Sequence, residues 1–340
     1  MVTKFNNLHS LSKYFNTELK CIKHLEKMVW NHEPACVHCG STKVYRLKGD
    51  INLRCGEKGC LKIFNVKHNT IFMDTKIPLT KWFQALYLAT SHKKGISSIQ
   101  LGKDLGITQK SAWFMLGRIR ELFLEKAPLL LDGEIEADEA FIGGSISNMH
   151  ERRKNKLREG KGDNKTKVIG LLDRDGKVTT HVPLKSESME DIREKVKGIV
   201  KEGSTIYTDE AGIYNKLAPK YSIQSVNHSI GEYVRGNVHT NGIEGFWSQL
   251  KRGIVGIYHQ VSSKHLHRYC NEFSFRYNTR KVTEAERFDF ALGLIENTKL
   301  TYPVLIESVE DKKGDRRMNK QTLKSVMRQN RNNNTSGNLI

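Results

Sequence analysis

The sequence predicts an α/β protein: a layer of strands and helices, with two smaller modules ahead of it. Four cysteines gather between residues 36 and 60, and apolar side chains recur at helical spacing through residues 79–124. From about residue 129 the texture changes to short β-branched or alternating runs interleaved with amphipathic stretches. In that last part Asp138, Asp209 and Glu244 come out of three unlike local contexts, in a chain of formal charge +19.

At 340 residues the chain can bury a full core and hold two or three domains. No uninterrupted apolar stretch approaches the ~20 residues that span a bilayer. The first residues also lack the apolar core of a secretory signal. The expected location is the cytoplasm, with no membrane partner. Fifty-six Lys and Arg stand against 37 Asp and Glu, and the excess is spread over residues 150–168, 251–281 and 311–331. A basic tail on a neutral fold would concentrate it in one place, so the expected partner is a polyanion, nucleic acid.

Residues 1–32 are expected as an N-terminal helical segment and 33–72 as a zinc ribbon. Cys36 and Cys39 form a C-x2-C pair, and Cys55 and Cys60 follow with a four-residue gap. The intervening residues 43–46 and 51–54 suit two hairpin strands. Gly40 and Gly56 sit just past a cysteine, where a ligand knuckle needs a permissive backbone. Two thiolate pairs joined by a hairpin make a closed tetrahedral Zn²⁺ site, structural because no position is left for water. A disulfide pair or reduced thiols would have the same spacing, but stable disulfides do not suit a cytosolic chain. Cys21 and Cys270 stand alone and are expected in the core.

Residues 73–127 are expected as a helix-turn-helix-like DNA-binding domain, within which 79–124 read as three helices. Leu79, Trp82, Phe83, Leu86 and Tyr87 mark the first; residues 96–108 give a Ser-started helix, a Gly-containing turn and a Thr that can cap the next. The third helix, 109–123, turns Trp113, Leu116, Ile119 and Leu122 inward and leaves Gln109, Lys110, Arg118 and Arg120 outside. This is the helix-turn-helix pattern, whose second helix enters the major groove. A plain three-helix core filler has the same spacing.

Residues 128–296 are expected as the catalytic domain. Alternation through 134–138 puts Glu134, Glu136 and Asp138 on one face of a strand. Residues 150–165 are polar, basic and Gly-containing, a loop suited to clamping DNA. Strands at 167–172 and 177–182 are joined by the turn Asp173-Arg174-Asp175-Gly176. A helix over 188–200 carries Met189, Ile192, Val196 and Val200 on one stripe. A strand ending at Asp209 and a long helix from about Asn241 complete an α/β layer of the ribonuclease-H type.

The chemistry such acids serve is phosphoryl transfer on DNA, in which attacking and leaving oxygens must both be stabilised. Two metals about 3.5–4 Å apart do this, and Mg²⁺ takes hard oxygen ligands while keeping several waters. Asp138 and Asp209 at neighbouring strand ends would share Mg²⁺ or Mn²⁺, with Glu244 completing the site from a helix. Asn241, one turn before Glu244, competes for the third position. Lys251, two turns beyond Glu244, is placed to contact a DNA phosphate. Glu134, Glu136, Glu139 and Glu210 are expected as solvent or salt-bridge carboxylates, and Asp173 and Asp175 belong to their turn.

The stretch His239-Thr240-Asn241-Gly242-Ile243-Glu244-Gly245-Phe246-Trp247, continuing to Lys251-Arg252-Gly253, resembles the signature of bacterial insertion-sequence transposases of the DDE class. The similarity is to the ISXO-like branch, which has an N-terminal zinc ribbon. Residues 264–269 and 272–278 extend the resemblance, and Asp138-Glu139-Ala140-Phe141-Ile142-Gly143-Gly144 and Tyr207-Thr208-Asp209-Glu210 match the other two acidic blocks. It covers about residues 33 to 296.

The resemblance implies that Asp138 and Asp209 bind catalytic metal and that Glu244 is the third acid, a position where members carry Glu or Asn. Lys251 corresponds to the basic residue downstream. His239 and Trp247 belong to the motif, with packing as their default role. The implied reaction is metal-dependent cleavage at the element's ends, followed by attack of the freed 3′-hydroxyl on target DNA. Its partners are double-stranded DNA and, because two ends must be joined, a second copy of the chain or a larger assembly at the nucleoid. Two alternatives stand beside it: a non-catalytic zinc-ribbon and helix-turn-helix regulator derived from a transposase, and a nuclease that cuts without joining. Residues 297–340 leave the pattern and read as a basic, flexible tail.

Overall fold

The computed structural model describes residues 5–124, 130–144, 150–159, 165–209, 214–226, 232 and 234–306. Glu210, residues 160–164 of the basic segment and residues 307–340 of the tail lie outside them. None of the described helices is long and apolar enough to cross a membrane.

Two helices open the chain, α1 (Leu8–Tyr14) and α2 (Glu18–Trp30), started by Asn7 and Thr17, whose side chains accept backbone N–H groups of the first turn. Three short antiparallel strands follow: β1 (Val44–Arg46), β2 (Leu53–Cys55) and β3 (Ile63–Phe64). Next come α3 (Leu79–Ser91), α4 (Ser98–Leu105) and α5 (Gln109–Leu122). The turn between α4 and α5 follows its sequence chemistry. Ser97 caps α4, Gly106 ends it at φ 60°, and Thr108 caps α5. Cys21 is buried in the core these helices share, as expected of an isolated thiol.

One part of the helical expectation fails. Gln109 and Lys110 are exposed, but Arg118 and Arg120 are only 8% and 3% exposed. Helix α5 lies between α3 and α9 (Ser263–Asn278), so its C-terminal half is enclosed on every side and has no outer face. Arg118 donates to the carbonyls of Ile71, Met73 and Leu300. Arg120 is paired with buried Glu272, Nε to Oε2 at 2.5 Å, and its guanidinium lies 4.0 Å from the Tyr269 ring. Arg276 and the Tyr258 hydroxyl donate to the other oxygen of Glu272.

The large sheet contains β4 (Glu134–Gly143), β5 (Lys165–Asp173), β6 (Val178–His181), β7 (Thr205–Thr208) and β8 (Ser222–Ser225), in the order β6-β5-β4-β7-β8. The first three strands are antiparallel neighbours, whereas β7 runs parallel to β4 and β8 parallel to β7. Between β4 and β5, where a loop was expected, Glu151–Arg158 form helix α6. It has no Gly or Pro, and Lys154 and Arg158 both pair with Glu151. A polar helix of this kind leaves no apolar period to read.

Helix α7 (Met189–Ile199) starts at a Ser188 capping box and connects β6 to β7. With Val196 and Val200 it covers the face of β4 that presents Ile135 and Ala137. The other face of β4, with Ala140 and Ile142, meets α8 (Asn241–Gly253) and α9 through Ile243, Phe246, Trp247, Leu250, Cys270 and Phe273. Helix α10 (Glu284–Gly293) returns to pack on α3, and Tyr302–Ile306 form a last short helix, α11.

The Glu272 cluster therefore holds α5, α9 and the π-helical turn Ile254–Tyr258 together. Burial alone would drive the Glu272 carboxyl up, but the charges of Arg120 and Arg276 and the hydrogen bonds it accepts outweigh burial and hold it at about 2. A depressed carboxylate pKa stabilises the fold fully above its unfolded value, and the contribution is lost as pH falls toward the folded one. Glu272→Gln leaves two buried guanidinium groups without their anion and is predicted to cost about 3–5 kcal/mol at neutral pH. Chemical denaturation at a series of pH values should show the difference between the two proteins shrinking between about pH 4.3 and about 2.

Candidate active site

Parallel pairing of β4 with β7 brings the first two predicted acids together. The last registered pair is Ala137↔Thr208, and the next residue on each chain is Asp138 and Asp209. Asp209 therefore follows the end of β7, as expected, whereas Asp138 lies midway along β4 beside it and not at a strand end, the two strands being about 4.8 Å apart. Glu244 stands in the first turn of α8, exposed, with one oxygen accepting from the Thr240 hydroxyl at 2.9 Å. All three charges act on one place. Burial, and then the negative charges of Asp209 and Glu244, push the Asp138 carboxyl up to about 6, against hydrogen bonds from the Glu139 amide and the Trp247 indole. Asn241, Glu244, Ser248 and Lys251 are all exposed at spacings of three and four, one outward stripe of α8.

Three like charges held this way resist one another. Among the described residues, the acids are not drawn to a common ligating point as the cysteines are. A divalent cation fits this donor set: hard oxygens, partly desolvated, whose mutual repulsion already disfavours the ionised form of Asp138.

Residues assigned no role by the sequence shape the site. Trp247 Nε1 donates to Asp138 Oδ2 at 2.9 Å. The indole reaches it by lying over Gly170 of β5, where a methyl group would come within 2.5 Å of the ring. Glu136 takes the salt-bridge role expected of it, with Arg174, but does so buried, at 1% exposure. One oxygen accepts the backbone N–H of Ile243 at 2.9 Å; the other lies 3.2 Å from Arg174 Nε and 3.3 Å from His239 Nδ1.

Arg174, in the β5–β6 turn, also reaches Glu134 and the carbonyls of Asn237 and His239, and stacks 4.1 Å from the Tyr207 ring. Tyr207 in turn donates to Glu134 at 2.7 Å. Glu134 and Glu139 keep the salt-bridge roles expected of them, with Arg174 and Lys167. Strand alternation had put Glu136 on the Asp138 face; its partners, 38 and more positions away, were the missing signal.

The four cysteines of the ribbon form a closed cluster. Cys36 Sγ lies 3.8 Å from Cys60 Sγ and Cys39 Sγ 3.6 Å from Cys55 Sγ, and all four sulfurs lie within 4.8 Å of one another. A disulfide needs about 2.05 Å. Sulfurs at about 2.3 Å from a tetrahedral Zn²⁺ stand about 3.8 Å apart. Gly40 takes φ 77° in the first knuckle, and a methyl at Gly56 would strike the Tyr45 ring.

A sheet in this order, with one acid midway along its first strand, a second just past the end of its fourth and a third on the helix behind, is the ribonuclease-H-like class. Residues 130–278 match the ISXO2-like transposase domain, and residues 16–62 match the transposase zinc-ribbon domain. Over 274 residues the chain is 27% identical to an uncharacterized protein in transposable element ISH50 of Halobacterium salinarum, covering 78% of this chain and 92% of that protein. The chain belongs to the insertion-sequence transposases that join a zinc ribbon to an ISXO2-like domain.

The ribbon geometry predicts one tightly held Zn²⁺ per chain. Elemental analysis should find it, and Cys55→Ser should abolish stoichiometric binding and lower the melting temperature, because metal binding and ribbon folding are one equilibrium. Full zinc retention in that variant would contradict a four-thiolate site.

Proposed function

We propose that this protein is the active transposase of its element: it binds the element's DNA ends, cleaves there, and joins the freed 3′-hydroxyl to target DNA. The observation that carries the reading is the convergence of Asp138, Asp209 and Glu244, close enough for two of the charges to raise the pKa of the third. Asp138 and Asp209 are assigned as the shared ligands of catalytic Mg²⁺ or Mn²⁺, and Glu244 as the third. Glu244 is favoured over Asn241 because its charge already acts on Asp138. When bound, divalent metal supplies Lewis acidity for in-line displacement at phosphorus.

The chain's own residues do the rest. Trp247 orients the Asp138 carboxylate by donating to one oxygen, while the other accepts the Glu139 backbone N–H. Lys251, exposed two turns along the Glu244 stripe, is assigned a phosphate contact that keeps the DNA over the acids. The four cysteines are assigned structural Zn²⁺. The α4–α5 pair is assigned to DNA through its exposed N-terminal residues Gln109 and Lys110, since Arg118 and Arg120 are committed inside. Joining two ends calls for two or more copies of the chain.

Labelled DNA carrying the element's ends, purified protein and Mg²⁺ test this directly. Cleavage and joining are expected, with Asp209→Ala and Glu244→Ala each losing about 10²–10³-fold or more and Asn241→Ala retaining activity. Cleavage without joining, even from paired ends, would favour a nuclease. Salt-sensitive binding with neither reaction in Mg²⁺ or Mn²⁺ would favour a non-catalytic regulator.

Lys251→Ala should weaken binding uniformly across sequences and reduce the slope of log affinity against log salt by about 1. An unchanged slope would remove Lys251 from the DNA surface.

A further inference from the structure

Helix α8 begins in an unusual way. Its N-cap residue, Thr240, makes no side-chain capping bond, and its hydroxyl turns instead to Glu244. The N–H that a cap side chain would normally satisfy, that of Ile243, is taken by Glu136 from strand β4. The cap of this helix has been moved to the sheet.

Two residues further along the same face of β4, Asp138 accepts from Trp247, one turn beyond Ile243 on α8. The two spacings agree: two residues of strand advance about 6.6 Å, and four residues of helix about 6 Å. Glu136 and Asp138 thus grip α8 at two points one turn apart, and Glu244 lies between them. Arg174 holds the Glu136 carboxylate from its other oxygen, with His239 Nδ1 3.3 Å from the same atom, and Arg174 also fixes the carbonyls of Asn237 and His239, the residues leading into the helix. Gly242 makes the approach feasible, since a methyl there would sit 2.8 Å from Glu136 Oε2.

We propose that Glu136 is a positioning residue for the acidic site: it caps α8 from strand β4 and sets the axial register at which Glu244 faces Asp138 and Asp209. Glu136 does not touch metal or DNA; it acts through the helix. This inference rests on the metal-site reading above, and the test separates the two.

Two variants of the full chain divide the effects of charge and position. Glu136→Gln keeps the size and an acceptor but removes the anion. Gly242→Ala keeps every charge and adds a better helix former, so that helix stability alone would improve. Two readouts are taken, Mn²⁺ affinity by electron paramagnetic resonance and hydrogen exchange of a peptide covering residues 239–250. Zinc content and melting temperature serve as controls for folding, and Asp209→Ala as the control for the metal site.

Both variants should bind Mn²⁺ about 10- to 100-fold more weakly, the scale of losing a group that orients a ligand. Exchange in the first turn of α8 should accelerate about tenfold, the scale of losing a helix cap. If Glu136→Gln fails to fold, Gly242→Ala carries the test. Wild-type Mn²⁺ affinity in folded Gly242→Ala, or wild-type exchange in folded Glu136→Gln, overturns the proposal. Should the unmodified protein bind no Mn²⁺ that Asp209→Ala removes, the metal-site reading fails. The exchange rates would then judge the hold of Glu136 on α8 by themselves, unchanged exchange overturning it.

Discussion

The close seating of helix α8 on strands β4 and β5 is the constraint on which the acidic end of this protein depends. Two glycines make it feasible, Gly170 beneath the Trp247 indole and Gly242 against the Glu136 carboxylate. Ile243, Phe246, Trp247 and Leu250 drive the contact by burying apolar surface against Ala140, Ile142, Val168 and Leu172. Apolar burial has no direction, so the register along the strand comes from the two hydrogen bonds to Glu136 and Asp138. Glu136, a strand carboxylate whose partners come from a turn and a helix, ties three segments to one point, and a single helix turn of slippage would break both bonds.

The same division of labour recurs at the Arg120–Glu272–Arg276 cluster. A buried ion network contributes little net stability over an apolar core of the same volume, but it is costly to break and admits few arrangements. Here it lies where the second helix of the helix-turn-helix pair meets the helix packed beside α8. The helix α5, with its exposed start, and the acid-bearing α8 are therefore linked through α9 by groups that tolerate no displacement without losing a charge partner.

Local chemistry was legible in the sequence, and long-range chemistry was not. The cysteine spacing foretold the ribbon cluster, because a knuckle is a property of neighbouring residues. Ser97, Gly106, Thr108 and Ser188 marked helix ends correctly for the same reason. Short β-branched and alternating runs marked the strands that carry Asp138 and Asp209, but the parallel pairing that sets these acids side by side came only with the structure. Arg118 and Arg120 went the other way, and Glu136, an ion-pair carboxylate as expected, is buried where the pattern gave no sign of it. A charged residue in an amphipathic or alternating pattern reads as solvent-facing, and only a partner 38 to 182 positions distant makes its burial tolerable. Trp247 had a motif but no assigned partner until the sheet placed Asp138 beneath it, and helix α6 had no apolar period at all.

The central claim is that Asp138, Asp209 and Glu244 hold one divalent metal centre. Iron-directed backbone cleavage tests it most directly: zinc-loaded protein is given Fe²⁺ in place of Mg²⁺, with ascorbate and peroxide, and the cut positions are mapped. The account predicts cuts close to all three acids, competed away by Mg²⁺ and absent in Asp209→Ala. Cuts confined to the cysteine ribbon, or cuts at one acid that survive Asp209→Ala, would contradict it.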